Sequence, residues 1–283
     1  MKAIILSAGR GTRLLPLTTD IPKCLIPVAG ERPLLEIQLA TLAACGVRQA
    51  TVMVGFEARR VEAFLRGNPV PGMCSRTIYN PFYAQTENLV TCWLAQPGMH
   101  EDFVLLNGDT LFEPALLDRL LASPPAPLTL AIDKKAAYDD DDMKVSLNGG
   151  RRLRAVSKTL DSSIVDGESI GMMVFRGEGP RLFRSALAQA IRSTSALSAW
   201  YLSVVEQMAQ RVRVETESIA GLWWQEIDTL SDLAEARAAL DPVHTAESRL
   251  LARIPPRVAA EASSPQGVRV NLRHSRTPRY ATW

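Results

Sequence analysis

Short apolar segments of strand length alternate with helix-like apolar patterns from Lys2 to Asp109, and this alternation constrains the fold more than any other feature of the chain. Residues 2–6 form a strand-like run that ends in a glycine-rich turn. Leu34, Leu35, Ile37, Leu39, Leu42 and Ala43 then recur at helical spacing, with Pro33 near the start and Gly46 as the stop. Residues 49–54 read as strand, 57–65 as helix, 76–79 as strand, 89–96 as helix, and 102–106 as a strand running into Asn107-Gly108-Asp109. Such alternation needs crossover connections. The expectation is an α/β fold of Rossmann-like type, with a mostly parallel, mixed sheet flanked by helices. Ligands of these sheets lie beyond the carboxyl ends of the strands. The glycine-rich turn and Asp109 each follow a strand directly, so both are expected at that crevice.

The pattern changes after residue 127. Residues 128–133 are strand-like, 143–147 and 152–156 flank Asn148-Gly149-Gly150 as a hairpin, and 170–175 form another strand. Helices are expected over 180–191, 201–210 and 229–240, the last with Thr229 or Ser231 near its cap. Residues 1–241 thus read as one domain in two halves, 1–127 and 128–241, packed on one sheet. Residues 242–283 carry seven arginines against two glutamates and no clear periodicity. They read as a basic surface tail, with an arm between the subunits of a homo-oligomer and a lid over the site left open.

Composition narrows the partners. A net charge of +2 is too near balance for nucleic acid or an anionic membrane to be the main partner. The apolar start is too short for a signal peptide or membrane span. Cys24, Cys45, Cys74 and Cys92 are scattered without a Cys-x-x-Cys pair, which suits free thiols in a reducing cytoplasm. His100, His244 and His274 sit in unpatterned contexts and suggest no catalytic triad.

The segment Ser7-Ala8-Gly9-Arg10-Gly11-Thr12-Arg13-Leu14-Leu15-Pro16-Leu17-Thr18, followed by Pro22-Lys23, carries the strongest chemical signal. Gly9 and Gly11 let the backbone approach a ligand, and amides in such a turn form an anion-binding nest. Arg13 and Lys23 add positive charge where a triphosphate would lie. A dinucleotide fingerprint would need glycine at position 14, which is Leu14, and a P-loop would need Gly-Lys-Ser/Thr, which is absent.

The full string resembles the signature of the sugar-phosphate nucleotidyltransferase superfamily, Gly-x-Gly-Thr/Ser-Arg-x-x-Pro-Leu-Thr and then Pro-Lys. It matches at Gly9, Gly11, Thr12, Arg13, Pro16, Leu17, Thr18, Pro22 and Lys23, and the resemblance runs to about residue 240. It implies the nucleotide-diphospho-sugar transferase type of fold, with residues 1–127 binding nucleotide and 128–241 binding acceptor. By the same resemblance Ala8, Gly9, Gly11 and Thr12 contact the nucleotide, Arg13 and Lys23 bind its phosphates, and Asn88 sits where relatives touch nucleotide or acceptor.

Asp109 reads alone as either a turn cap or a ligand. Glu226-Ile227-Asp228 adds two carboxylates that an extended segment points to one side. Three hard oxygen donors beside a triphosphate suit Mg²⁺. The resemblance assigns the metal to Asp109 and Asp228, with Glu226 as the further carboxylate of the cytidylyltransferase-like branch. Lys144 and Lys158 read either as solvated or, by resemblance, as acceptor-binding, and Glu168 joins them as an acceptor-half candidate. Residues 139–142, all aspartate, read as a solvated loop or an attraction for a cationic acceptor, because four carboxylates do not converge. Trp200-Tyr201 and Trp223-Trp224 read as core or as a stacking surface.

By the same resemblance the reaction expected is transfer of NMP, with CTP the favoured donor, to a small phosphorylated or phosphonate acceptor. The acceptor oxyanion attacks the α-phosphorus directly, so no side-chain nucleophile is needed. The alternatives are a sugar-1-phosphate uridylyl-, thymidylyl- or guanylyltransferase and a catalytically silent nucleotide-binding subunit.

Overall fold

The computed structural model describes residues 1–241, and within them each strand expected up to Asp109 is present. The first half runs β1 (Lys2–Ser7), β2 (Pro27–Ala29), β3 (Arg32–Pro33), α1 (Leu34–Ala44), β4 (Gln49–Val54), α2 (Ala58–Gly67), β5 (Cys74–Tyr79), α3 (Asn88–Leu94), β6 (Phe103–Asn107), β7 (Thr110–Phe112) and α4 (Pro114–Ala122). The second runs β8 (Leu128–Asp133), β9 (Lys144–Leu147), β10 (Leu153–Ser157), β11 (Gly167–Phe175), α5 (Gly179–Ala190), α6 (Tyr201–Ala209), β12 (Val214–Ser218), β13 (Trp224–Glu226) and α7 (Leu230–Leu240). The basic tail over 242–283, with His244 and His274, lies outside the described residues.

β1 occupies the middle of the sheet because both its faces are apolar: Ala3, Ile4 and Ile5 are fully buried. It pairs in parallel with β4 on one side and β6 on the other, and β5 extends the parallel part beyond β4. The second half joins through β11, which runs antiparallel to β6, β8 and β9. The central sheet has nine strands, and all nine residues of β11 are buried within it.

The helices cover both faces. α1 is buried all round rather than along one stripe, with Leu34 to Ala43 inside. Leu35, Leu39 and Leu42 face the sheet, while Leu34, Ile37 and Ala40 pack against Leu233, Ala236 and Leu240 of α7. α7 opens with a capping box in which the Thr229 side chain accepts from the Asp232 amide and Asp232 reaches back.

Several elements fall outside the sequence reading. β12 spells Val-Glu-Thr-Glu-Ser, and its polarity hides a strand whose Glu215 and Thr216 are both buried. β7 and β13 form a separate two-stranded ribbon. β11 starts three residues before the expected 170, which carries Glu168 into the sheet. Among the described residues no helix is long and apolar enough to cross a membrane.

Candidate active site

The glycine-rich turn leaves β1 at the carboxyl end of the sheet. The Phe56 amide donates to the Ala8 carbonyl at 3.1 Å and ties the turn to the end of β4. Gly11 has φ 65°, a left-handed conformation, and begins the single helical turn Thr12–Leu14. A Cβ there would also stand 3.0 Å from Cβ of Lys23, so glycine lets the Lys23 stem lie against the turn. The Thr18 hydroxyl closes this arrangement by donating to the Gly11 carbonyl at 2.8 Å. Gly9 faces open space, and Thr12 is exposed.

On the neighbouring strand end, Asn107-Gly108-Asp109 turns tightly against β1. A Cβ on Gly108 would meet the Ser7 Oγ at 2.1 Å and the Leu6 carbonyl at 2.7 Å, so only glycine fits. Gln38, buried on α1, holds the turn from below by donating to the carbonyls of Asn107 (3.0 Å) and Thr110 (2.8 Å). Ser7, Gly9, Gly11, Lys23, Asn88, Gly108 and Asp109 line a cavity of about 180 Å³ between the two turns.

The β7–β13 ribbon carries the later carboxylates here. Glu226 pairs with Thr110, and the Ile227 amide donates to the Asp109 carbonyl at 3.1 Å. Asp232 accepts from the Asp228 amide at 2.9 Å, so the same side chain that caps α7 also fixes Asp228. Asp109, Glu226 and Asp228 each present a carboxylate oxygen within 4.8 Å of the others.

Two cations answer them. The Lys23 ammonium lies 2.9 Å from Asp109 and 2.5 Å from Asp228, and Arg13 Nη2 lies 2.6 Å from the other oxygen of Asp228. Burial works against the Lys23 ammonium, but Asp109 and Asp228 outweigh it and hold its pKa above the ordinary value. Glu226 behaves in the opposite way. Loss of water around it, then the like charges of Asp109 and Asp228, push its carboxyl up to about 8. Its side chain reaches the exposed rim of the site, with Asp109 and Asp228 close beside it. Asp109 Oδ1 is buried without any hydrogen-bond partner. A trio of carboxylates with one orphaned buried oxygen fits a hard divalent cation, which would use that oxygen and relieve the repulsion.

The charge chain continues into the second half. Arg13 also pairs with Asp141, whose other oxygen pairs with Lys158. Lys158 in turn stands over the Trp200 ring, 3.9 Å from its centroid. The aspartate run is thus not uniformly solvated: Asp140 is exposed, Asp141 bridges two cations, and Asp142 pairs with Lys135 at 2.7 Å. Lys135 also pairs with Glu168 at 2.7 Å. Burial pushes the Glu168 carboxyl up to about 7 against the pull of Lys135, and its Oε1 has no partner.

Other sequence candidates sit differently. The Lys144 ammonium is buried beneath the loop, donating to the carbonyls of Asp139 and Lys158. Asn88 accepts from the Tyr201 amide at 3.0 Å, so it lines the cavity while anchoring the start of α6. Tyr201 is core, fully buried with its hydroxyl donating to Asn107 at 3.1 Å, whereas Trp200 is half-buried under Lys158. Trp224 Nε1 donates to Asp133 at 2.8 Å. Gln38, Lys135 and the individual role of Asp141 emerge only from the structure. Gln38 carried a signal, a lone amide within an apolar helix. Asp141 carried none, being one of four equivalent aspartates.

Comparison with known proteins bears on this geometry. Residues 2–122 match the family model described as "Nucleotidyl transferase". The chain is 40% identical to the CMP-5'-(3-aminopropyl)phosphonate synthase of Streptomyces rubellomurinus over 126 residues, 44% of this chain and 20% of that protein. It is 27% identical to the bifunctional IPC transferase and DIPP synthase of Aquifex aeolicus over 242 residues, 84% of this chain and 51% of that protein. The chain therefore spans about half or less of these relatives. The inositol-1-phosphate CTP transferase from T. maritima superposes with a TM-score of 0.71 at 20% identity, covering 84% of this chain and 95% of that one. Residues 2–122 are thus similar in sequence to nucleotidyl transferases, and the α/β fold of the described residues is like that of the inositol-1-phosphate CTP transferase.

Proposed function

We propose that the chain is a Mg²⁺-dependent nucleotidyltransferase that moves CMP from CTP to a small phosphorylated or phosphonate acceptor and releases pyrophosphate. The observation that carries this reading is the convergence of Asp109, Glu226 and Asp228 on Lys23 and Arg13 at the mouth of the glycine-rich turn. Preference for CTP and a non-sugar acceptor draws on the relatives, one named a CMP-phosphonate synthase and another a CTP transferase acting on inositol 1-phosphate.

In this reading residues 1–127 hold the nucleotide and 128–241 the acceptor. The backbone of Ala8 to Thr12 cradles the triphosphate, and Asn88 approaches the nucleotide from the first turn of α3. Asp109 and Asp228 would hold the metal, with Glu226 beside them. Bound there, Mg²⁺ supplies charge neutralisation and fixes the phosphate oxygens. An acceptor phosphate or phosphonate oxygen forms the new bond to the α-phosphorus, and the bond from that phosphorus to the pyrophosphate oxygen breaks. Lys23 and Arg13 offset the repulsion between attacking and departing anions, the role for which fixed charges are most effective. Lys158 and Glu168 belong to the acceptor half, and Lys144 supports Lys158 through its carbonyl. Retention of all three carboxylates and of Lys23 argues against a silent regulatory subunit.

The test crosses CTP, UTP, dTTP, GTP and ATP with phosphocholine, 2-aminoethylphosphonate, inositol phosphate and hexose 1-phosphates, following pyrophosphate release. The expected outcome is highest kcat/KM with CTP and a non-sugar acceptor. A clear optimum for UTP or dTTP with a hexose 1-phosphate would overturn the donor and acceptor assignment.

A further inference from the structure

Asp141 is the only one of its four-aspartate run to bridge two cations that come from different halves of the molecule. Its Oδ2 takes Arg13, which follows the glycine-rich turn, and its Oδ1 takes Lys158, which follows β10. Arg13 reaches on to Asp228, and Lys158 lies over Trp200. Two side chains that each present a cation to separate oxygens of one carboxylate define a point of positive potential suited to a second, stronger oxyanion. A phosphate or phosphonate dianion presents more charge and more oxygens than a carboxylate, so it outcompetes Asp141 for the pair. Arg13 and Asp141 are about half exposed, and exposed pairs of this kind are weak enough to exchange.

We propose that Asp141 is a built-in competitor for the acceptor's phosphate group: it occupies the anion position between Arg13 and Lys158 and sets how strongly an incoming phosphate or phosphonate binds there. This inference rests on the proposed function for the identity of the acceptor. Asp141 is a specificity-setting residue rather than a catalytic one. It penalises weakly charged anions, which cannot displace it, and admits dianions, which can. Its own carboxyl sits below the usual range, first because of Lys158 and further because of Arg13, so it remains a charged competitor at neutral pH. The loop holds it in register: the Asp141 amide donates to Asp139 Oδ1 at 2.8 Å, and the loop carbonyl of Asp139 accepts from the buried Lys144 ammonium.

The test titrates the full chain with inorganic phosphate by calorimetry, in chelator and without nucleotide, and follows tryptophan emission for the change at Trp200. Asp141→Asn should bind phosphate about three- to thirtyfold more tightly than wild type, the worth of two exposed ion pairs. Asp140→Asn makes the same charge change next door, where the side chain is exposed, and should stay within about twofold of wild type. Equal tightening in both variants would assign the effect to overall potential and overturn the proposal, as would no tightening in Asp141→Asn. The readout involves no turnover. If Asp141→Asn fails to tighten in a chain that makes pyrophosphate from CTP, this inference falls and the proposed function stands. Tightened phosphate binding in a chain that turns over no donor would remove the function and keep the anion site.

Discussion

Replacing Lys23 with alanine tests the centre of the site in two independent ways. Its ammonium joins Asp109 and Asp228, and its side chain is only 13% exposed against 24% and 21% for the two carboxylates. Removing one partner of a fully buried pair costs about 3–5 kcal/mol, because the remaining charge is left uncompensated. Here about a fifth of each carboxylate stays in water, so a loss of about 1–3 kcal/mol is expected for the metal-free protein. For a domain of this size that corresponds to a fall in Tm of roughly 2–12 °C. Excess Mg²⁺ should recover much of the loss, because a divalent ion among Asp109, Glu226 and Asp228 supplies the missing positive charge. Turnover should not recover. Losing one preorganised charge at the transferring phosphate costs about 3–4 kcal/mol, or about a hundred- to thousandfold in kcat/KM. The assay pairs thermal denaturation with and without Mg²⁺ and pyrophosphate release at saturating metal. Wild-type kcat/KM in Lys23→Ala would refute the placement of the triphosphate. A stability loss that ignores Mg²⁺ would refute the placement of the metal.

The carboxylates and Glu168 make two further predictions. Asp109→Asn and Asp228→Asn should each lower kcat by roughly 10²- to 10⁴-fold with the fold retained, and chelator should abolish wild-type turnover; undiminished turnover in excess chelator would remove the metal from the mechanism. Glu168 has its carboxyl raised to about 7 in the folded chain, so the fold favours its neutral form, and that contribution is lost as pH rises toward and through 7. The neutral Glu168→Gln should therefore gain stability relative to wild type between pH 5 and pH 8, and a Tm difference that is flat or moves the other way across that range would contradict the buried, partly unpartnered state of this side chain.

Much of the first half was legible because its signals are local. Strand-length apolar runs separated by helical spacing need no distant partner to be recognised, and β4 matches its expected limits, residues 49–54. The glycine-rich turn was legible for the same reason: Gly11 needs its left-handed φ wherever the chain goes, and Gly108 needs to be small wherever its turn meets a strand end. What stayed hidden depends on neighbours far along the chain. β12 is polar in sequence and becomes a strand because β8 supplies its ladder and Arg151 accepts its Thr216 amide. The buried position of Glu168 depends on β11 beginning early, between β8 and β9.

The same division runs through the site. By itself the sequence determined which residue types could carry phosphate and metal chemistry: Arg13 and Lys23 beside a glycine turn, Asp109 after a strand, and Glu226 and Asp228 two apart. The tertiary structure decided their assembly, because a β7–β13 ribbon brings residues more than a hundred positions apart into one cluster of carboxylates. It also decided which aspartate of an apparently uniform run meets Arg13 and Lys158, and which lysine lies buried under a loop instead. Charge is a property of a residue, but pairing is a property of distance, and distance between remote residues exists only once the chain has folded.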